Sequence, residues 1–159
     1  MTKNFVWQFT NQKKLNKKEF EDYFERKIFK TIRKYSMLPD NRVIKIKKSN
    51  NINAKILIYV LKQKFSVRFS ESPNFFSENL SQIAEDIFKN ILKGKFISEK
   101  INAPLRFLSD KEIELYAKLK NIKGVKRKKD EKIQLLFNKF FSKNPDLEIN
   151  IVKAMEQIK

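Results

Sequence analysis

The sequence predicts a helix-rich α/β fold in which a small sheet is flanked by helices. Of the 159 residues, 41% are hydrophobic and 15 are Phe, which is enough apolar surface for one packed core. With only 2 Gly and 4 Pro, long irregular loops are not expected. Near the centre of the chain an alternating segment, a polar turn and an almost wholly apolar segment follow one another. This order is typical of a strand, a turn and a buried helix.

The first 36 residues predict a hairpin followed by an amphipathic helix. Residues 5–9 have strand composition and 10–12 form a turn. From 17 to 36, apolar residues recur at helical spacing and form one stripe: Phe20, Phe24, Ile28, Ile32 and Tyr35. The opposite stripe is basic and nearly free of acids, so the helix should pack with one face and project a basic ridge from the other.

The rest of the chain alternates strand and helix patterns before it becomes helical. Residues 42–48 predict a strand, 54–64 a buried helix and 65–70 a second strand. Further helices are predicted at 78–94, 110–122, 130–141 and 144–158, with Asn144 and Pro145 as the start of the last. A basic loop at 123–129 separates the second and third of these helices.

Composition excludes several kinds of chemistry. The sequence has no Cys and no His, so disulfides, zinc thiolate sites, Cys nucleophiles and His general bases are absent. We expect no metal and no cofactor. No apolar run is long enough for a signal peptide or a transmembrane helix, and we therefore expect a cytoplasmic protein without a membrane partner.

Positive charge is concentrated in two blocks. The chain carries 36 basic and 18 acidic residues, a net charge of +18. Residues 1–48 have 14 basic and 5 acidic side chains, and 93–129 have 12 and 4, whereas 130–159 have 5 of each. A Lys-rich, AT-biased genome is the alternative explanation, but it should spread charge evenly. Clustered charge favours a polyanionic partner such as RNA.

The candidate RNA contacts come from three segments: the first helix, the strand at 42–48 and the basic loop. Phosphate contacts of this kind position RNA without reading its sequence. The candidates are Arg26, Lys27, Lys30, Arg33, Lys34, Lys45, Lys47, Lys48, Lys123, Lys126, Arg127, Lys128 and Lys129.

Five segments, taken in order, resemble the tRNA thiolation enzymes that make 2-thiouridine and 2-thiocytidine. These belong to the PP-loop, adenine-nucleotide alpha-hydrolase-like superfamily. The matching segments are 20–38, 43–63, 79–94 (NLSQIAEDIFKNILKG), 104–122 (PLRFLSDKEIELYAKLKNI) and 144–158. The resemblance implies one domain over 1–159: a short hairpin at 1–16 in place of a zinc ribbon, a reduced Rossmann-like, PP-loop ATPase-type core at 17–122, and a basic loop with a helical pair at 123–159.

The departures from the family pattern fall on its chemistry. The family's phosphate loop reads Ser-Gly-Gly-Lys-Asp-Ser, with glycines that let the backbone curl around pyrophosphate. The matching stretch here keeps only the first Ser: Ser49, Asn50, Asn51, Ile52, Asn53 and Ala54. The acidic pair of the family's Asn-Leu-Asp-Asp motif is Ser81 and Gln82, and the sulfur-handling cysteines are absent.

These losses predict a non-catalytic, tRNA-binding pseudoenzyme. It would act on tRNA alone or as the partner of a catalytic thiolation subunit. Two alternatives remain open: a ribosome-associated or structural protein that binds ribosomal RNA, and a residual ATP-dependent tRNA-modifying enzyme. The Phe-rich helix at 130–141 predicts a protein interface, with a second copy or a partner subunit, at Phe137, Phe140 and Phe141.

Overall fold

The computed structural model describes residues 4–95 and 101–157. Within these ranges the chain forms four short strands and six helices. Their bounds are β1 Phe5–Gln8, β2 Lys14–Asn16, α1 Lys17–Lys34, β3 Val43–Ile46, α2 Ile52–Leu61, β4 Ser66–Phe69, α3 Leu80–Leu92, α4 Asp110–Lys120, α5 Glu131–Phe141 and α6 Leu147–Gln157. None of these helices combines the length and the apolar character that crossing a membrane requires.

The predicted N-terminal hairpin is present and leads directly into α1. Strands β1 and β2 pair antiparallel, with an irregularity between Phe5 and Trp7. Helix α1 begins at Lys17 because Asn16 and Glu19 form a capping box, in which each side chain accepts from the other residue's backbone N–H.

The centre of the fold is a β–α–β unit. Strands β3 and β4 are parallel neighbours, with Val43 opposite Ser66 and Ile46 opposite Phe69. Helix α2 connects them and is buried on most of its circumference, as its nearly continuous apolar sequence predicted. It begins at Ile52, two residues earlier than the pattern indicated, because a distant segment satisfies the backbone at its start.

The main hydrophobic core lies between α1, α2, β3 and α4. The predicted α1 stripe faces it: Phe20, Phe24 and Ile28 are fully buried. Phe24 stacks on Tyr116 of α4, with ring centroids 4.0 Å apart and planes 9° apart. This contact fixes α1 against the helix that precedes the basic loop.

A second, smaller cluster joins α3, α5 and α6. Ala84, Ile133 and Val152 are buried at its centre, one from each helix. Helix α6 begins at Leu147 and not at 144–145, because Asn144 and Pro145 lie in a turn whose Asn144 carbonyl accepts from the Leu147 N–H. The predicted end of this helix, Ile158, lies outside the described residues.

Candidate nucleic-acid interface

Residues 49–54, which the sequence resemblance aligned with a phosphate loop, are covered by the chain's own backbone at the start of α2. The Asn51 side chain caps α2 by accepting from the Asn53 N–H at 2.8 Å. The Ile52 N–H donates to the Val125 carbonyl, and the Val125 N–H donates to the Asn50 carbonyl, both at 2.8 Å. Two backbone donors at the start of α2 are therefore already satisfied, in the place where a phosphate loop directs its N–H groups at an anion.

Gly124 allows this close approach of the basic loop. A Cβ added at Gly124 would lie 2.9 Å from both the Asn50 carbonyl oxygen and the Ile52 Cα. The Lys55 ammonium also donates to the Lys123 carbonyl at 3.0 Å. Asn53 Nδ2 is buried at the same point without a hydrogen-bond partner among the described residues.

Gly124→Ala should destabilise the protein by about 1–3 kcal/mol, because backbone atoms on the opposite side cannot move aside as a flexible side chain would. Denaturant unfolding measures the change. Lys123→Ala is the matched control, since it leaves the backbone contacts intact and alters only an exposed side chain. Equal stability of the two variants would contradict the close packing of this loop on α2.

The predicted basic ridge on α1 is solvent-exposed over most of its length. Arg26, Lys30, Arg33 and Lys34 are exposed. Ion pairs in the described part of the chain involve other basic residues: Lys89, Arg106, Lys120, Lys126, Arg127 and Lys129. The charges of the ridge are therefore not neutralised locally and are available to a polyanion.

Lys27 is turned away from the ridge. Its ammonium donates to the Tyr23 hydroxyl at 3.0 Å, and that hydroxyl donates to Glu112 at 2.6 Å. Burial lowers the pKa of Lys27, and the neighbouring charge of Glu112 opposes this effect. Glu112 also completes the capping box of α4. Lys27 therefore contributes to the α1–α4 contact and is a weaker candidate for RNA than its neighbours.

The lysines of the strand and of the basic loop differ in their surroundings. Those of the strand segment, Lys45, Lys47 and Lys48, are exposed, as predicted for an extension of the basic track. In the loop, Lys126 lies 3.6 Å from Glu114, and Lys129 lies 3.8 Å from both Asp110 and Glu114. The side chains of Lys123 and Lys128 are exposed and have no carboxylate partner among the described residues. The loop is thus more neutralised than its sequence suggested.

Arg127 corrects the prediction for the basic loop, because it is a buried structural residue. Only 8% of it is exposed. Its guanidinium donates to both oxygens of Asp110, at 2.7–3.1 Å, and to Glu85 at 3.2 Å. Glu85 also accepts from Gln134 at 2.7 Å. These contacts connect the loop, α3, α4 and α5, so Arg127 is unavailable to RNA.

Near the same network, burial makes the ionised form of the Glu148 carboxyl unfavourable. Burial is the main effect and raises the pKa of Glu148. The charges of Asp110 and Glu85 also raise it, whereas a hydrogen bond from Ser81 and the charge of Arg127 lower it. An acid whose folded pKa is raised binds its proton more tightly in the folded protein. Its contribution to stability is complete below its unfolded pKa and is lost as pH rises through its folded pKa.

Glu148→Gln should therefore raise the free energy of unfolding at neutral pH and leave it nearly unchanged below about pH 4, where the carboxyl is protonated in both states. Denaturant unfolding at the two pH values measures the difference. Glu131→Gln, at an exposed position in the first turn of α5, is the control. A loss of stability at neutral pH would show that the ionised carboxylate is favourable.

The structure divides the three phenylalanines of the predicted protein interface on α5 between the core and the surface. Phe137 is 2% exposed and belongs to the second cluster, and Phe141 packs against that cluster. They form part of the core, which corrects the prediction for these two residues. Phe140 is 55% exposed, and its neighbours Leu135 and Leu136 are 65% and 37% exposed.

A groove that the sequence did not predict lies beside the basic ridge. It has a volume of about 980 Å³ and is bounded by α1, the turn before β3 and the α2–β4 connection. Three of the six arginines in the sequence line it: Arg26, Arg33 and Arg42. Phe29 and Phe65 also contribute, with ring centroids 6.1 Å apart. The scarcity of arginine among so many lysines was the available clue.

The fold defines the class of protein: a helix-rich α/β protein whose architecture is similar to that of a tRNA-thiolating enzyme. A solved structure with this similarity is the U34-tRNA thiolase NcsA from Methanococcus maripaludis with its [4Fe-4S] cluster. It matches with a TM-score of 0.75 and 12% identity, and the match covers 97% of this chain and 84% of that one. No protein-family profile and no curated protein sequence matches the chain. At this identity the similarity establishes the fold.

The residues of this chain do not fit an iron–sulfur cluster. Such clusters are held by Cys thiolates, with His as the occasional replacement. This sequence contains neither residue. Among the described residues, no group of three or more acidic side chains is arranged to hold a metal ion either.

Proposed function

We propose that this protein binds RNA, with tRNA as its preferred class, and catalyses no reaction on it. The supporting observation is the un-neutralised ridge on α1, carried by a fold similar to that of a tRNA thiolase. The ridge consists of Arg26, Lys30, Arg33 and Lys34. Exposed basic side chains on one helix suit the repeating phosphates of a folded RNA.

The region matching the phosphate loop supports the non-catalytic part of the proposal. ATP-dependent activation needs a backbone that curls around pyrophosphate and a cation that neutralises it. Here Asn50 and Asn51 replace the glycines, Ile52 replaces the lysine, and Val125 accepts from the Ile52 N–H. Transfer of sulfur also needs a thiolate or a cluster, and the sequence supplies no ligand for either.

The binding mode follows from the kind of side chains involved. Lysine and arginine contacts to phosphate give affinity and orientation but no sequence readout. The protein would therefore distinguish RNAs by their shape, alone or together with a catalytic subunit that supplies the chemistry.

Equilibrium binding of the purified protein to tRNA at increasing salt tests the proposal. If 6–10 phosphates are contacted, affinity should fall by about 10³–10⁵ between roughly 50 and 200 mM salt. An affinity that is flat over this range would contradict phosphate recognition. Tighter binding to ribosomal subunits than to tRNA would transfer the function to ribosomal RNA. Release of AMP, or formation of thiolated tRNA, by the protein alone would contradict the absence of catalysis.

A further inference from the structure

The groove beside the basic ridge combines features that the ridge alone does not have. Its lining places arginine, lysine, aromatic and carboxylate side chains around one concave space. Its volume of about 980 Å³ lies at the upper end of the range of roughly 300–1,000 Å³ that is typical of ligand pockets. A surface that only attracts phosphate needs neither concavity nor aromatic rings.

The arginines of the groove are free to contact a ligand. In the described residues, arginine ion pairs are made by Arg106 and Arg127, and none is made by Arg26, Arg33 or Arg42. Guanidinium groups match the oxygens of a phosphate in a bidentate geometry that an ammonium group cannot reproduce. The three groups that suit phosphate best therefore lie around the same opening.

Arg42 stands in a backbone conformation that arginine rarely adopts. Its φ is +58°, in the left-handed region, where Gly or Asn is favoured. The turn holds it there: the Arg42 N–H donates to the Pro39 carbonyl at 2.9 Å, and the Asn41 side chain accepts from the Val43 N–H at 3.1 Å. This turn places the long cationic side chain of Arg42 in the lining of the groove.

The aromatic wall is fixed in place. Phe29 of α1 contacts Phe65, which precedes β4, and the Gln63 amide donates to Glu25 at 2.6 Å across the same two segments. The Lys64 ammonium lies 4.3 Å from the Phe29 ring centroid. No described cation lies over Phe65, which is half-buried. Phe65 is therefore the ring against which a planar group could stack.

We propose that this groove binds an unstacked nucleotide from a single-stranded segment of the RNA. The arginines hold its phosphates, and the ring of Phe65 stacks on its base. Asp22, which also lines the groove, is suited to accept from an exocyclic amino group of the base. An acidic peptide would match the arginines but would leave the aromatic ring unused. The inference rests on the proposed function, which it makes more specific.

Fluorescence anisotropy with a short single-stranded oligocytidylate and a perfectly paired RNA duplex tests the groove. Phe65→Leu should weaken binding of the single strand about fivefold to a hundredfold, because it keeps an apolar side chain against the core but loses base stacking. Binding of the duplex, whose bases are already stacked, should change less than about twofold. Phe140→Leu, at an exposed ring on α5, is the matched control and should change neither.

Arg42→Asn separates binding from folding. Asn tolerates the left-handed conformation, so the melting temperature should stay the same or rise. Affinity for the single strand should nevertheless fall about fivefold, since one phosphate contact is lost. Arg68→Gln, an exposed arginine on β4 outside the groove, should have a smaller effect. If Arg42→Asn and Arg68→Gln weaken binding equally, the groove has no special role.

The outcomes distinguish the groove from the proposed function. If RNA binds and Phe65→Leu behaves like Phe140→Leu, the groove inference fails while RNA binding stands. If neither RNA binds, both fail. Preferential binding of a polyglutamate peptide that Arg42→Asn weakens would assign the groove to an acidic protein and overturn the inference. Ultraviolet cross-linking of the wild-type complex serves as the second readout, in case Phe65→Leu does not fold. Cross-links in peptides containing Phe29 or Phe65 support the groove, and cross-links confined elsewhere overturn it.

Discussion

Replacing Arg127 by Met should lower the free energy of unfolding by about 3–5 kcal/mol, the largest stability effect expected in the basic loop. The Arg127 side chain is 5% exposed and is held by Asp110 and by Glu85, whose side chain is 4% exposed. Met preserves much of the volume but leaves the buried carboxylate of Glu85 without its cation and the part-buried carboxylate of Asp110 with only the more distant Lys129, and that poorly compensated charge is the source of the loss. Denaturant unfolding at neutral pH gives the measurement.

Two further variants make this expectation specific. Lys128→Met, at the exposed neighbouring position, should change stability by less than about 0.5 kcal/mol. The double variant, Arg127→Met with Glu85→Gln, should lose much less stability than the two single variants lose in sum. The reason is that Glu85→Gln removes one of the charges that Arg127→Met leaves unpaired. Additive effects, or a loss under about 1 kcal/mol for Arg127→Met, would show that the ion-pair network does not stabilise the fold.

Asp110 makes the contribution of the same network to stability depend on pH. Burial alone would raise the pKa of Asp110, but hydrogen bonds from Arg127 and Asn79 and the charges of Arg127 and Lys129 together hold its pKa below the ordinary value. A depressed carboxyl pKa contributes stability above the unfolded pKa, and that contribution is lost as pH falls through the folded pKa. The network therefore strengthens the fold at neutral pH and weakens below about pH 4.

Arg127 also shows why the sequence was misleading at this point. Residues 123–129 carry five basic side chains around Gly124 and Val125, and although Arg127 is the one arginine among them, nothing local in the sequence shows that it is buried. The partners that bury Arg127 lie 17 and 42 residues away along the chain. The pairing depends on how α3 and α4 pack, which periodicity does not reveal. The same is true of Phe137, whose partners come from α3 and α6.

Elements whose stability is local were predicted well. The α1 stripe, the N-terminal hairpin and both strands of the β–α–β unit occur where the periodicity placed them. The start of α2 was misplaced because Val125, a residue far along the chain, satisfies the Ile52 N–H. The groove was missed for a related reason: Arg26, Arg42 and Phe65 come from three separate segments, and only packing brings them together.

A triple change on the ridge, Arg26→Gln, Lys30→Gln and Arg33→Gln, should have the largest effect on RNA binding. Each phosphate contact contributes about 0.7–0.9 to the slope of log affinity against log salt, so removing three should reduce the slope by about 2–3. Glutamine removes the charge and is also a good helix former, and all three positions are exposed, so stability should change little. Titration of tRNA at several salt concentrations measures the slope.

This experiment must show that RNA affinity depends on where the charges lie and not only on how many there are, because a net charge of +18 attracts any polyanion. The matched control removes the same three charges from exposed sites in and just after α5, as Lys132→Gln, Lys139→Gln and Lys143→Gln. This control should change the slope of log affinity against log salt by much less than the value of about 0.7–0.9 expected for one phosphate contact. If both triple variants weaken tRNA binding equally, the attraction is diffuse, and the clustering of cations on α1 reflects composition. A selective loss on α1 assigns recognition to the helix face that the fold leaves free of carboxylate partners.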